Sequence, residues 1–134
     1  MPELPEVETT LRAIEKFKNQ RLSHIKVHNR NLRWEVDKNL EEKSKNQIIK
    51  NLRRRAKYLI FDLDNHSIIL HLGMSGSLRI AKHDDNYLLK HDHVEFLFDS
   101  EKIIYNDPRR FGSIHLTKNI DKHKLIHHLG PEPL

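Results

Sequence analysis

Apolar residues change their spacing once along the chain, from a helical period to a strand-like one. Near the N-terminus four of them recur three or four positions apart: Val7, Leu11, Ile14 and Phe17. This spacing predicts an amphipathic helix that starts near residues 3 to 5 and ends near Asn19. Pro2 and Pro5 favour that start, because proline lacks the N–H that the first helical turn leaves unpaired.

After this helix, apolar and polar residues alternate in short segments separated by Gly, Pro, Asn and Asp. The pattern predicts a strand around Ile25 and Val27 and seven more at Ile48–Arg54, Tyr58–Leu63, Ser67–Leu72, Gly76–Ile80, His93–Phe98, Lys102–Tyr105 and Ser113–Leu116. Short helices are predicted at Asp37–Lys45 and Asn119–His128. Many short strands without a βαβ rhythm indicate a mainly β, α+β chain: an antiparallel sandwich or barrel flanked by helices.

Length and composition exclude several classes of protein. The 134 residues are enough for one domain with a modest core. No segment approaches the ~20 consecutive apolar residues of a membrane-spanning helix, and the N-terminus lacks the apolar stretch of a secretory signal. The absence of cysteine excludes disulfides, thiolate nucleophiles and cysteine-ligated zinc within the chain. These features predict a soluble intracellular domain.

The charge is positive and unevenly distributed. Lys and Arg number 24 against 19 Asp and Glu, a net charge of +5, and the isoelectric point is about 9.5. Between Lys43 and Lys57 there are seven basic residues and no acidic one. Such a run is typical of nucleic-acid-binding proteins, and a solvated basic face is the alternative.

The N-terminal residues could form a nucleophilic site. Removal of Met1 would leave Pro2 as a secondary amine, and α-amino groups have pKa values of about 7.7–8.0, so part of it is neutral at physiological pH. Such an amine can attack an aldehydic carbon and form an iminium. Glu3 and Glu6 lie close enough in sequence to act as proton donor, base or orienting group. The alternative role of Pro2 is to mark the helix start.

Large side chains occupy two predicted tight turns. Met74 lies between glycines in residues 71–76, and Arg109 and Phe111 lie between a proline and a glycine in residues 105–112. An apolar wedge beside arginine is how proteins unstack DNA and fill the space of a displaced base. Lys57 ends the basic run before an apolar strand, where it could contact phosphate or transfer protons. The alternatives are core packing for Met74 and Phe111, and a strand-flanking charge for Lys57.

The sequence Lys90-His91-Asp92-His93 contains a His-x-His pattern. Two such histidines can bind a metal, but no third and fourth ligand follow at a recognisable spacing. A phosphate contact or a hydrogen bond in the core is therefore the favoured role for His91 and His93.

Several stretches together resemble the bacterial formamidopyrimidine-DNA glycosylases, repair enzymes for oxidised purines such as 8-oxoguanine. The matching segments are residues 2–9, 54–59, 71–80, 90–94, 107–112 and 129–134, in the order of the family. The resemblance covers only the family's N-terminal half. Leu4 stands where the related endonuclease-VIII-like pyrimidine enzymes have glycine, which favours the purine branch.

The resemblance implies a two-layered β-sandwich flanked by helices, with the active-site proline on the first helix. It implies that Pro2 attacks the anomeric carbon, that Glu3 is the general acid for ring opening, and that Glu6 supports the site. Lys57 would lie near the lesion phosphate and take part in the elimination.

The resemblance also implies DNA contacts. Met74, Arg109 and Phe111 would fill the void after base flipping, with Arg109 facing the orphaned cytosine. His91 and Arg110 would contact phosphates. Double-stranded DNA containing oxidised purines is the implied partner, and the bacterial cytoplasm, in association with the nucleoid, is the implied location.

The family's second half contains a helix–two-turn–helix element and a four-cysteine zinc finger. We therefore expect residues 1–128 to form the catalytic domain, residues 129–134 to begin an interdomain linker, and the chain to bind no cofactor. Fewer phosphate contacts weaken DNA binding, so this half is expected to be weak or inactive alone. A monomer is expected, and exposed apolar surface could produce a dimer. A non-catalytic DNA-binding module and a pyrimidine-lesion glycosylase remain alternatives.

Overall fold

The N-terminal helix forms as predicted but tightens before its expected end. The computed structural model describes residues 4–127. Helix α1 spans Leu4–Ile14, and a 3-10 turn continues it over Glu15–Phe17. Phe17 is fully buried, and its ring lies 4.4 Å from that of Phe98. The chain therefore turns into the core at Phe17, slightly before the predicted end.

The rest of the described chain is dominated by ten strands. In chain order they are β1 (Arg21–Leu22), β2 (His24–Val27), β3 (Gln47–Ile48), β4 (Asn51–Arg55), β5 (Tyr58–Asp62), β6 (Ser67–His71), β7 (Ser77–Lys82), β8 (Asp92–Leu97), β9 (Glu101–Asn106) and β10 (Ser113–Thr117). One four-stranded sheet has the order β10-β6-β5-β4, a second has β2-β8-β9-β7, and β1 pairs with β3. All of these pairings are antiparallel.

Two predicted elements in the middle of the chain differ from the structure. The single strand predicted at Ile48–Arg54 is wrong, because β3 pairs with β1 whereas β4 pairs with β5. Between them the buried Ile49 donates its backbone N–H to the Gln20 carbonyl at 2.9 Å. The helix predicted at Asp37–Lys45 is shorter, with α2 spanning Leu40–Ser44.

The predicted C-terminal helix is divided into two short elements. A 3-10 turn spans Ile120–Lys122, and α3 spans Lys124–His127. The rest of that prediction, His128, and the linker predicted at residues 129–134 lie outside the described residues.

The two four-stranded sheets pack face to face around one apolar core. Phe61 of the first sheet and Phe96 of the second have ring centroids 5.5 Å apart. The apolar face of α1, formed by Val7, Leu11 and Ile14, packs on the same core. This arrangement confirms a two-layered antiparallel sandwich with an N-terminal helix, rather than a barrel.

The outer faces of the sandwich are covered differently. On the first sheet Ile60 and Ile69 pack against Ile120 and Ile126 of the C-terminal helical segment. On the second sheet a buried ion pair joins Glu95 to Lys102 at 2.5 Å. Burial raises the pKa of Glu95, but hydrogen bonds from Lys102 and His28 outweigh it and hold that pKa below its ordinary value.

Among the helices of the described part, none is long and apolar enough to cross a membrane.

Candidate nucleic-acid interface

Two loops meet at one end of the sandwich, and glycine is required where they touch. The first follows β6 and the second precedes β10, two strands that pair directly. Gly73 has φ +69°, and a Cβ atom there would lie 2.5 Å from the Gly112 amide nitrogen. A Cβ atom on Gly112 would lie 2.0 Å from the Tyr105 hydroxyl oxygen and 2.4 Å from the His71 carbonyl oxygen. The two loops therefore pack backbone against backbone.

The buried carboxylate of Asp107 holds both loops in place. One oxygen accepts a hydrogen bond from the Ser75 hydroxyl at 2.7 Å and from the Arg110 amide at 3.1 Å. The other accepts from the Gly112 amide at 2.9 Å and from the Tyr105 hydroxyl. Asp107 is completely buried, so these donors replace the water that its charge would otherwise require. In the sequence, Asp107 is distinguished only as one of the Asp residues that separate the predicted strands.

The strands beneath the loops are tied to the same residue. Burial and the hydrogen bond to Asp107 raise the pKa of the Tyr105 hydroxyl, so this group stays protonated and donates. The His93 ring lies 2.8 Å, through Nε2, from the Asp107 carbonyl oxygen. His93 is buried, so its role is the core hydrogen bond that was one of the two predicted alternatives.

We expect Gly112→Ala to lower the free energy of unfolding by about 1–3 kcal/mol, because the added methyl group overpacks a closed contact. Urea denaturation measures this change directly. Ser77→Ala, on an exposed strand residue, is the matched control and should stay within about 0.5 kcal/mol of the wild type. Equal stability of the two variants would show that the loops can separate at no cost.

The side chains held by these loops point outward. Met74 is 50% exposed and Phe111 is 44% exposed, which excludes the alternative that they belong to the core. The Arg109 guanidinium lies 3.9 Å from the Met74 sulfur, and its backbone amide donates to Ser75 Oγ at 3.2 Å. The structure thus brings the three predicted wedge residues onto one clamped surface.

A cationic pocket lies next to this surface. It has a volume of about 310 Å³ and is lined by Arg33, His71, Gly73, Met74 and Phe111. Arg33 also lines two neighbouring pockets, one reaching Arg110 and the other reaching Tyr58. Neither Arg33 nor His71 was identified as a site residue from the sequence. Arg33 is distant in the chain from both loops, and His71, the first residue of the 71–76 segment, was given no role there.

The segment that carries Arg33 is joined to the loops and to α2. The Arg33 amide donates to the Gly112 carbonyl at 3.2 Å, and the Arg110 guanidinium donates to the Asn31 carbonyl at 3.4 Å. Arg30 donates to the Asp37 carbonyl at 3.2 Å and to the carboxylate of Glu41 on α2. Arg110 has φ +57°, so its backbone conformation depends on these surrounding contacts.

The electrostatics of the pocket favour an anionic ligand. Burial lowers the pKa of His71, and the nearby charges of Arg33 and Lys57 lower it further, against the opposing effect of Asp107. His71 is therefore neutral near pH 7 in the free protein. A phosphate placed among these cations would favour its protonated form. Lys57 lies, half-buried, in the turn between β4 and β5, close enough to act on His71 electrostatically.

His91 lies immediately before β8 in a left-handed conformation, φ +71°. Its carbonyl accepts a hydrogen bond from the Asp107 amide at 3.1 Å, which connects His91 to the loop cluster.

The neighbouring Asp92 is buried and accepts two hydrogen bonds from Arg79, at 2.7 and 2.6 Å, and one from Asn106 at 2.8 Å. Burial raises the pKa of Asp92, but these bonds and the Leu89 amide lower it to about 2, so the carboxylate stays ionised.

The remaining predicted residues are placed as follows. Pro2 and Glu3 lie outside the described residues. Glu6 is exposed in the first turn of α1, and its carbonyl accepts the Thr10 hydroxyl at 3.0 Å.

The basic run between Lys43 and Lys57 does not form one unpaired patch. Lys50 lies 3.1 Å from an Asp64 carboxylate oxygen. The Arg53 Nε atom lies 2.7 Å from a carboxylate oxygen of Asp62, and the Arg54 guanidinium pairs with the carboxylate of Glu8.

Residues 4–127 contain no group of three or more His, Asp or Glu side chains that could hold a metal ion. The chain also has no cysteine. The described residues therefore do not fit a zinc centre.

Comparison with known proteins gives one consistent result. A family model described as the formamidopyrimidine-DNA glycosylase N-terminal domain matches residues 1–114. The chain is 47% identical over 137 aligned positions to the formamidopyrimidine-DNA glycosylase of Saccharophagus degradans, with all of this chain and 50% of that protein covered. It is 50% identical to the enzyme of that name from Histophilus somni, again covering 50% of it. The chain thus spans about half the length of the curated relatives it matches.

Solved structures agree with the sequence relatives. The chain superposes with a TM-score of 0.82 and 34% identity on the Lactococcus lactis formamidopyrimidine-DNA glycosylase non-covalently bound to abasic-site DNA, covering 90% of this chain and 47% of that one. It matches the T221P mutant of that enzyme in complex with Fapy-dG DNA equally well, with a TM-score of 0.82 and 35% identity. On these grounds, the chain belongs to the formamidopyrimidine-DNA glycosylase family.

Proposed function

We propose that this chain is the N-terminal catalytic part of a base-excision repair enzyme, a glycosylase and abasic lyase that removes oxidised purines from double-stranded DNA. It acts in the bacterial cytoplasm and works through the secondary amine of Pro2. The observation that supports this most is the surface formed by Met74, Arg109 and Phe111. Exposed apolar side chains on a rigid, cation-lined platform are suited to entering a DNA stack.

The loops give this wedge its rigidity. Asp107 binds both of them, and the glycine contact between them leaves no room for sliding. A wedge that must separate stacked bases works against a few kcal/mol per step, so a loosely held loop would yield instead of the DNA. In the pocket beside it, Arg33 supplies positive charge for the phosphates of the distorted strand, and the neutral His71 offers a hydrogen bond.

The proposed chemistry follows from the amine. The Pro2 nitrogen forms a bond to C1′, the glycosidic bond breaks, and the departing base takes up the proton that the amine releases. The C1′–O4′ bond then breaks, O4′ accepts a proton from Glu3, and the nitrogen and C1′ form an iminium. Lys57 and Glu6 act on this site as a phosphate contact and a supporting carboxylate.

The decisive experiment is borohydride trapping on an 8-oxoguanine duplex, with the 134-residue chain in excess at low salt. We expect slow formation of a covalent adduct that mass spectrometry locates on Pro2, after loss of Met1. Low salt is required because this half neutralises few phosphates. Pro2→Gly is the matched variant, and its adduct should fall at least tenfold while its unfolding temperature stays unchanged.

Other outcomes would overturn parts of the proposal. An adduct on a lysine would exclude Pro2 as the nucleophile. Because the expected weakness of this half comes from fewer phosphate contacts, saturated binding to the lesion duplex with no adduct would favour a non-catalytic DNA-binding module. Trapping as efficient as that of an intact relative would contradict the expectation that this half is weak alone.

A further inference from the structure

One guanidinium links helix α1 to the turn that carries Lys57. Arg54, on β4, donates through Nε to the carboxylate of Glu8 on α1 and through Nη1 to the Ala56 carbonyl at 2.9 Å. The Arg54 side chain is 20% exposed and that of Glu8 is 40% exposed, so the contact is partly shielded from solvent. Arginine suits this role because its planar fork directs two donors at once, which a lysine ammonium does less well.

The turn itself needs such support. Ala56 has φ +51°, a left-handed conformation that normally favours glycine and persists only where surrounding contacts hold it. Lys57 is the next residue, and β5 begins directly after it. The bond from Arg54 to the Ala56 carbonyl therefore fixes the peptide that leads into Lys57 and so sets the direction from which that side chain starts.

The helix needs support for a different reason. Its contacts with the core come from apolar residues such as Val7 and Leu11, and apolar packing is non-directional. The pairing of Glu8 with Arg54 is directional and lies in the N-terminal half of α1, which begins at Leu4. It therefore specifies how the end of the helix that follows Pro2 in sequence is rotated against the sandwich.

We propose that Arg54 is a positioning residue that sets the N-terminal end of α1 relative to Lys57, and that this alignment controls the rate of iminium formation. The inference rests on the function proposed above, because iminium formation is part of that function. Arg54 itself is assigned no contact with DNA. A purely structural brace would instead affect stability and leave the reaction rate of the folded protein unchanged.

Arg53 provides the matched control. It is the adjacent residue on the same strand and has the same type of side chain, and it also pairs with a carboxylate, Asp62 on β5, at 2.7 Å. Neither partner of that pair lies on α1 or in the Lys57 turn. Arg53→Lys and Arg54→Lys therefore each remove a guanidinium that pairs with a carboxylate, but only the second interrupts the link between the two elements.

The first experiment separates chemistry from binding. Under single-turnover conditions with saturating protein, we expect Arg54→Lys to slow borohydride trapping at least tenfold, and Glu8→Gln to slow it less. The Kd for a duplex with an uncleavable tetrahydrofuran abasic analogue should stay within about threefold of the wild type for both. Arg53→Lys should leave both quantities unchanged. Equal slowing by Arg53→Lys and Arg54→Lys, or a loss confined to Kd, would overturn the proposal.

The second experiment does not depend on activity. Hydrogen exchange in the free protein should accelerate together at the amides of Thr9, Thr10 and Lys57 in Arg54→Lys, and not in Arg53→Lys. Unchanged exchange at these amides would overturn the link itself. A wild-type chain that forms no adduct at saturating protein would count against the proposed function alone, and the exchange data would still decide whether Arg54 couples helix and turn.

Discussion

Asp107→Ala should lose about 3–5 kcal/mol of unfolding free energy, the largest effect expected of any single substitution in the loops. The carboxylate is fully buried and accepts four hydrogen bonds, from Ser75, Tyr105, Arg110 and Gly112. Removing it leaves the Ser75, Tyr105 and Gly112 donors without this acceptor, and each buried unsatisfied group costs about 1–3 kcal/mol. The Arg110 amide loses less, because it also donates to the Asp107 carbonyl at 3.2 Å. The sum is reduced because the exposed loops can admit water. Urea denaturation at pH 7 measures the change.

Two further variants define how the effect arises. Asp107→Asn keeps one acceptor oxygen but places an NH₂ group opposite N–H donors, so it should be almost as destabilising. Ser75→Ala removes a single partially buried donor and should cost about 1 kcal/mol. If Asp107→Ala were no more destabilising than Ser75→Ala, the carboxylate would not be the centre of the cluster.

Borohydride trapping by Asp107→Ala should be lost even at temperatures where this variant remains folded, because the wedge would no longer be held.

Arg109→Ala and Phe111→Ala should each weaken binding to an abasic-analogue duplex at least tenfold without changing stability by more than about 0.5 kcal/mol. Both side chains are exposed, so the fold does not depend on them. Side chains that stack in the place of a displaced base contribute about 1–3 kcal/mol each. Fluorescence anisotropy on damaged and undamaged duplexes measures the loss, which should be much smaller on undamaged DNA.

The salt dependence distinguishes a wedge from a phosphate contact. Arg109→Ala should leave the slope of log K against log salt unchanged, whereas loss of a phosphate contact lowers that slope by about one. Arg21→Ala removes the same single positive charge from β1, outside the loop cluster, and is therefore the control for the loss of charge alone. Phe111→Leu, which keeps an apolar side chain, should recover part of the affinity. Equal losses on both duplexes would show that these residues do not act in the space that a displaced base leaves.

Local patterns predicted the elements well wherever one face of an element is buried. The short apolar run predicted as a strand at Ser67–Leu72 matches β6 to within one residue, and the four apolar residues of the first helix are all buried. The failure at Ile48–Arg54 has a tertiary cause. Ile49 is bound to the Gln20 carbonyl from outside the segment, and this contact divides one apolar run between two pairings.

The site was only partly predictable. Met74, Arg109 and Phe111 were identified because large side chains on glycine-flanked turns are unusual, and the structure shows the first and last exposed. Arg33 and His71 were missed because a strand-end histidine and an isolated arginine have no distinctive local pattern. Asp107 was recognised as a turn residue, but the hydrogen bond it accepts from Ser75 spans 32 positions of sequence. No local pattern reveals a contact at that separation.

The sequence by itself determined the mainly β character, the N-terminal helix and the family, because periodicity, turn residues and motif order are all encoded locally along the chain. Only the tertiary structure decided which residues act together. It brought Met74 to Arg109 across 35 positions and Glu8 to Arg54 across 46. The physical reason is that antiparallel pairing aligns the ends of distant strands and that α1 packs against β4, so loops and side chains become neighbours through tertiary contacts and not through the chain.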